Sequence, residues 1–139
     1  MDGVRREMGY QGTLAAFFDH IREDPQFHPR TRADLERGFA EIARKVEAQI
    51  PRFFKQVPRT RLLVQPYPAY REQYEPGGGY QQGSADGTRP GTFFFNAYDL
   101  PSRFLTGMAT LYLHEGTPGH HFQISLAREN EALPEFQRH

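Results

Sequence analysis

The sequence predicts an α+β chain, mostly helical, with a short two-stranded, hairpin-like element ahead of the helix that carries its polar motif. Three observations lead there. Leu35, Phe39, Ile42, Val46 and Ile50 recur at 4-3-4-4 spacing, which lays one apolar stripe along a helix over residues 32–49. Leu62-Leu63-Val64 and Gly91–Tyr98 are short runs of strand-favouring residues bounded by Pro or Gly, predicting strands near 61–67 and 91–98. Met108, Ala109, Leu111, Tyr112 and Leu113 form an apolar run that reads as a buried helix just before a cluster of histidines.

Taken in order, residues 1–10 are polar and read as poorly ordered. Leu14, Phe17, Phe18 and Ile21 fit an amphipathic helix over 12–23 that stops at Asp24-Pro25. His20 and His28 stand alone and read as solvated surface groups. Thr31 and Asp34 have the spacing of a capping box, with Asp where Glu is usual. Glu41 and Lys45 make an i,i+4 pair on the outer face of the long helix, worth a few tenths of a kcal/mol. Pro51 stops that helix or starts a short turn through Phe53, Phe54 and Val57. Pro58, Pro66 and Pro68 place the first strand at a sheet edge. Residues 71–90, rich in Gly and Tyr, read as a long hairpin connection or a mobile loop. That loop holds no Gly-Lys-Ser/Thr, so a substrate-side loop or a plain linker fits better than a phosphate cradle. In the second strand, Phe93 and Phe95 share one face, and Phe94 and Asn96 the other. Apolar residues on both faces imply cover on both sides. Ser102 is placed to cap a helix over 103–115. After the Pro-Gly pair, Phe122, Ile124, Leu126 and Ala127 suggest a further helix to Asn130, then a polar tail from Pro134. The chain divides as 10–58 helical, 59–99 strands and loop, and 100–139 motif helix, break and following helix, within one partial domain over 1–139.

Three of the six histidines lie in His114-Glu115-Gly116-Thr117-Pro118-Gly119-His120-His121. Neutral imidazoles hold Zn²⁺, and a carboxylate beside them can take a proton from water. The common H-E-x-x-H pattern is absent, because Pro118 stands four residues after His114. On a straight helix His121 would face the same way as His114 but roughly 10 Å further along the axis, and His120 would be turned by about 120°. A helix interrupted at Pro118-Gly119 can swing one of them back. Geometry leaves both His120 and His121 open. The plainer reading is a polar pair at a helix C-terminus, favoured by the dipole. Three His and a Glu at one break after an apolar run weigh against it.

His114-Glu-x-x-Pro-Gly-His-His-x-Gln123, with Gly87–Asn96, Gly12-Thr-Leu-Ala-Ala-Phe-Phe18 and Asp24-Pro-Gln-Phe27, resembles the domain of unknown function 885 family. These are bacterial proteins whose expected activity is zinc-dependent peptide hydrolysis. The family has His at the place of His120 and often an aromatic residue at that of His121. The resemblance therefore implies His114 and His120 as metal ligands and Glu115 as the base. The family's third ligand is a Glu in a downstream Glu-Gly-Trp segment. The chain ends at His139 before any such segment, so it resembles an internal fragment, with the third ligand beyond residue 139. The implied activity is hydrolysis of amide bonds, in a peptide or another amide substrate, by a metal-activated water. His121, Gln123, Asn96, Tyr98, Arg103 and Tyr112 are candidates for supporting or substrate contacts. Tyr98, Arg103 and Tyr112 are candidates to stabilise an oxyanion, and the strand through Asn96 to pair with an extended peptide. The alternatives are a catalytically silent metal-binding or scaffold relative, and a non-peptidase metallohydrolase.

Composition excludes other classes. Seventeen basic and seventeen acidic residues balance to zero, which argues against a nucleic-acid footprint. No run of apolar residues is long enough for a membrane span, and no targeting segment is visible at the N-terminus. Without Cys there are no disulfides and no thiolate metal site, and compartment and oligomeric state stay open. With two identifiable ligands, these residues alone are expected to bind zinc weakly and to lack turnover. They are also expected to self-associate through exposed faces of Phe93, Phe95 and Phe122.

Overall fold

The longest helix begins where the sequence supplies its cap. The Thr31 hydroxyl accepts from the Asp34 amide at 3.1 Å, and Asp34 Oδ2 accepts from the Thr31 amide at 2.7 Å, a reciprocal capping box. In this computed structural model, which describes residues 2–84 and 86–138, that helix is α3, Arg32–Glu47. It buries Leu35 and Phe39, with Ile42 and Val46 half-buried along the same stripe. Two shorter helices precede it, α1 (Asp2–Glu7) and α2 (Leu14–Glu23), and α4 (Ile50–Phe53) follows it. Helix α1 corrects the expectation of disorder over 1–10. Arg5 Nη1 donates to the Gly12 carbonyl at 2.6 Å and ties the segment to the start of α2. Neither lone histidine is a free surface group. His28 Nδ1 meets the Arg103 carbonyl at 2.8 Å and Nε2 the Arg22 carbonyl at 2.9 Å, while His20 stacks on Tyr10.

The sheet has three strands, β1 (Leu62–Pro66), β2 (Gly78–Gln81) and β3 (Gly91–Phe95), in the order β1-β3-β2. The two expected strands are parallel neighbours, Leu62 opposite Gly91 and Pro66 opposite Phe95, so they are not a hairpin. The antiparallel partner of β3 is β2, which lies inside the stretch read as a loop. Parallel pairing needs a long return connection, and residues 67–90 supply it with a strand of their own. Gly-Gly-Tyr-Gln has no strand signature, and space selects it instead. A Cβ at Gly78 would lie 3.0 Å from Leu111 and Phe93 side-chain carbons, and one at Gly79 2.7 Å from the Tyr67 hydroxyl. As its prolines implied, β1 is an edge strand.

Strand β3 ends at Phe95, short of the expected 98; the Asn96 amide still donates to the Gly77 carbonyl at 2.9 Å, while its side chain clamps the preceding loop. Its Nδ2 donates to the carbonyls of Glu72, Glu75 and Pro76 at 2.7, 2.8 and 3.1 Å, and its Oδ1 accepts from the Tyr98 amide at 2.8 Å. On the inner face, Phe93 and Phe95 pack against Phe39 and are fully covered, Phe93 also meeting Tyr112. On the outer face, Phe94 stacks on Tyr67 with ring centroids 5.2 Å apart. The expected exposure of Phe93, Phe95 and Phe122 is therefore wrong. Helix α3 and the next helix cover the first two, and Phe122 is buried with its edge on Phe54.

That next helix, α5, spans Met108–Glu115, shorter than the expected 103–115. Two 3-10 turns, Leu100–Ser102 and Leu105–Gly107, precede it, and Ser102 Oγ donates back to the Asp99 carbonyl instead of capping. Met108 and Tyr112 face the core, whereas Ala109, Thr110 and Leu113 are exposed with His114. The helix is thus half-open, not buried all round. Helix α6, Gly119–Glu129, follows. Among the described residues no helix is long and apolar enough to cross a membrane.

Candidate metal centre

Helix α5 closes with the Gly116 amide donating to the Tyr112 carbonyl at 2.8 Å, and α6 opens three residues later at Gly119. Gly119 sits directly on the last carbonyls of α5. A Cβ there would lie 2.6 Å from the Leu113 oxygen and closer still to that of His114. Only a residue without a side chain lets the two helix ends approach this far. The approach brings the His114 and His120 rings to 4.8 Å between centroids, at 82° to one another. The donor atoms of His114, Glu115 and His120 all lie within 4.8 Å of each other. His114 Nε2 and Glu115 Oε1 are 4.0 Å apart; the His114 side chain is mostly exposed and that of Glu115 mostly covered.

Gln123, one turn along α6, meets His120 Nδ1 with its Oε1 at 3.2 Å. An oxygen there accepts the Nδ1 proton and leaves Nε2 with the free lone pair, as second partners of metal-binding histidines do.

His121 faces the other way. It is buried, and its Nδ1 accepts from the Tyr80 hydroxyl at 3.0 Å, with Ser125 Oγ 3.4 Å from both groups. Burial pushes the His121 imidazole below its ordinary value, against smaller opposing pulls from the Thr60 backbone and the Glu129 carboxylate. The ring is therefore neutral at pH 7. Burial likewise raises the Tyr80 phenol. At the far end of α6, Glu129 accepts from the amides of Arg59 and Thr60 and from the Thr60 hydroxyl, each at 2.9 Å.

The remaining sequence candidates are engaged elsewhere. Asn96 is the loop clamp, and Tyr98 is exposed, with its backbone bonded to Asn96 and to Arg103 Nε. Arg103 anchors that loop and His28. Tyr112 is a core residue with no exposed surface. The oxyanion role considered for Tyr98, Arg103 and Tyr112 therefore has no support in their placement. Two tyrosines that sequence reasoning passed over take part in the contacts of the surrounding elements. One is Tyr80. The other is Tyr67, whose phenol is raised by burial first, then by the carboxylates of Glu75 and Glu115. Its ring also lies under the Arg71 guanidinium at 5.4 Å, and Arg71 pairs with Glu75. Neither tyrosine belongs to a motif. Recognising β2 would have been the route to Tyr80, whereas Tyr67 directly follows β1.

Over residues 1–139 the chain matches the family described as "Bacterial protein of unknown function (DUF885)", and it belongs to that family. Among solved structures it is similar to one described as "the putative lipoprotein from Colwellia psychrerythraea", with 29% identity and a TM-score of 0.79 over 91% of this chain. The chain spans 23% of that protein's length. No curated protein matches it.

Proposed function

We propose that this member of the family holds the metal-binding and proton-transfer groups of a zinc-dependent hydrolase that cleaves amide bonds in peptides. The observation that carries the reading is the convergence of His114, His120 and Glu115 at the α5–α6 break. Two imidazoles and a carboxylate are a donor set suited to Zn²⁺. His114 and His120 would hold the ion, with a third ligand from elsewhere in the protein, as the family resemblance implies. A Zn²⁺ there would supply Lewis acidity, bringing the pKa of a water molecule to about 7.

Glu115 would take the water proton on its carboxylate and deliver it to the leaving amine. Its Oε1 lies 4.0 Å from His114 Nε2, beside the ligand set. The substrate strand is β2, not the strand through Asn96, since β3 is central in the sheet. The Asn96 amide bonds the Gly77 carbonyl, so antiparallel alternation turns the backbone groups of Gly78 and Tyr80 toward the open edge. Gly78 also packs near Leu111, one turn before His114. An extended peptide adding there runs beside the cluster.

The test uses the intact protein with parallel panels of peptides and esters. Glu115→Gln should keep stoichiometric zinc and lose turnover by roughly 10²–10⁴-fold; His114→Ala or His120→Ala should lose the metal. Wild-type-like turnover in Glu115→Gln would sink the mechanism. Zinc bound without turnover on either panel would select a silent metal-binding relative, and ester turnover alone a non-peptidase hydrolase.

A further inference from the structure

His120 and His121 are chemically identical neighbours at the start of α6, and a rotation of that helix by one residue would exchange them. Three residues at i, i+4 and i+8 fix the rotation: His121, Ser125 and Glu129 form one polar stripe along α6. Ser125 and His121 are only 4% and 3% exposed, so the stripe is an internal contact, not a solvated face. Glu129 docks the C-terminal end on Arg59 and Thr60. Tyr80 docks the N-terminal end, its hydroxyl 3.0 Å from His121 Nδ1 and its ring edge-on to the imidazole at 5.7 Å.

Tyr80 reaches that position across β3. It crosses at Gly91, where a Cβ would lie 2.9 Å from two carbons of its ring and closer still to its hydroxyl. The Tyr80–His121 contact spans 41 residues and two elements, so the local chain does not impose it.

We propose that Tyr80 is a positioning residue that determines which of the two histidines is presented to His114 and Glu115. Its hydroxyl holds the His121 nitrogen in the interior, so that His120 projects into the cluster and His121 does not compete for the ion. Without the hydroxyl, the buried ring nitrogen loses its nearer donor and keeps only the longer contact to Ser125 Oγ at 3.4 Å, which weakens the hold on the imidazole against turning out toward a metal. The metal arm of this inference rests on the zinc reading above; the orientation arm does not.

Tyr80→Phe keeps the ring and removes only the hydroxyl. Because a freed His121 would compete with His120 for the ion, Tyr80→Phe should weaken Co²⁺ binding and shift the visible Co²⁺ absorption spectrum. Adding His121→Phe, which removes the competing ring, should restore the wild-type spectrum. In the metal-free protein, nuclear Overhauser contacts between the His114 and His120 rings should be present in the wild type and weakened in Tyr80→Phe. A Tyr80→Phe protein with wild-type cobalt spectrum, affinity and ring contacts overturns the proposal, even if its melting point falls, since that would show a purely structural role. If the wild type binds neither metal, the zinc reading fails while the ring contacts still decide the orientation. Should Tyr80→Phe not fold, cobalt added to the wild type decides: contact-shifted ring N–H signals from His114 and His120 but not His121 are expected, and a contact-shifted His121 ring as ligand overturns the inference.

Discussion

Replacing Gly119 by alanine would insert one methyl group between the end of α5 and the start of α6. Its Cβ would lie 2.6 Å from the Leu113 oxygen and 2.5 Å from the His114 carbonyl carbon, whereas ordinary contact begins at 3.4 Å. These are backbone atoms of a closed helical turn, so no side chain can rotate away. The shortfall at the Leu113 oxygen alone is 3.4 − 2.6 = 0.8 Å, and the His114 oxygen lies closer still, so the two helix ends must part by more than that. Overpacking of this kind costs about 1–3 kcal/mol, and the upper end applies where the obstruction is backbone on two sides. At a helix start with an ordinary φ, the same change would otherwise stabilise by about 0.4–1 kcal/mol through the unfolded chain and helix propensity. The contest is thus between a gain of at most 1 and a loss near 3, leaving a net destabilisation of about 2 kcal/mol. For a chain of this size that is a fall in melting temperature of about 6 °C. Thermal and urea unfolding followed by circular dichroism would measure it. A melting point equal to or above wild type would refute the account of the helix junction, and with it the reason given for the meeting of His114 and His120.

Further outcomes can be stated more briefly. Burial alone would raise the Glu129 carboxyl, but its bonds from the Arg59 and Thr60 amides and the Thr60 hydroxyl, with the Arg59 guanidinium, outweigh that and hold it below the ordinary 4.5. Its contribution is therefore full above pH 4.5 and is lost as pH falls through the folded value, so Glu129→Gln should flatten the loss of urea stability on acidification below that pH. An unchanged acid slope would show that other carboxylates carry it. Asn96→Asp sets a carboxylate against three carbonyls and should cost about 3 kcal/mol, more than Asn96→Ala, in the same unfolding assay. Phe53 and Val57 are 74% and 51% exposed, so association through apolar surface should run through this segment and not through Phe93 or Phe95. Sedimentation velocity of Phe53→Ser should show less concentration-dependent association than wild type, and equal association would clear the patch.

Helix α3 was legible because every local signal agreed: capping box, apolar stripe and an i,i+4 pair that forms at 2.7 Å. The alternation in Phe93-Phe94-Phe95 likewise told which faces were covered, and Pro66 told which strand was outermost. The topology was not legible, because β2 is specified by absent side chains. Strand propensity measures how a side chain packs on a pleated surface, and Gly78 and Gly79 have none to measure. At the site, the break in the helix could be read from Pro118 and Gly119, since both effects are local. The choice between His120 and His121 could not be read from helix geometry. It depends on a hydroxyl 41 residues away, whose position depends on the unrecognised strand.

That dependence links the missed strand to the chemistry. Gly78 lets β2 lie against Leu111, Gly91 lets Tyr80 cross to His121, and Gly119 lets α6 start on the carbonyls of α5. Each position admits a neighbour closer than a Cβ would allow, and the three contacts converge on the two helices that carry His114, Glu115 and His120. Gly87 differs in kind. It has a positive φ of 74° and nothing within 4 Å of its absent side chain, so it serves a turn. A sequence scan scores all four alike as breakers of regular structure. In space the first three bring backbones and rings together, so a stretch that reads as a flexible loop includes the strand that orients the candidate ligand helix.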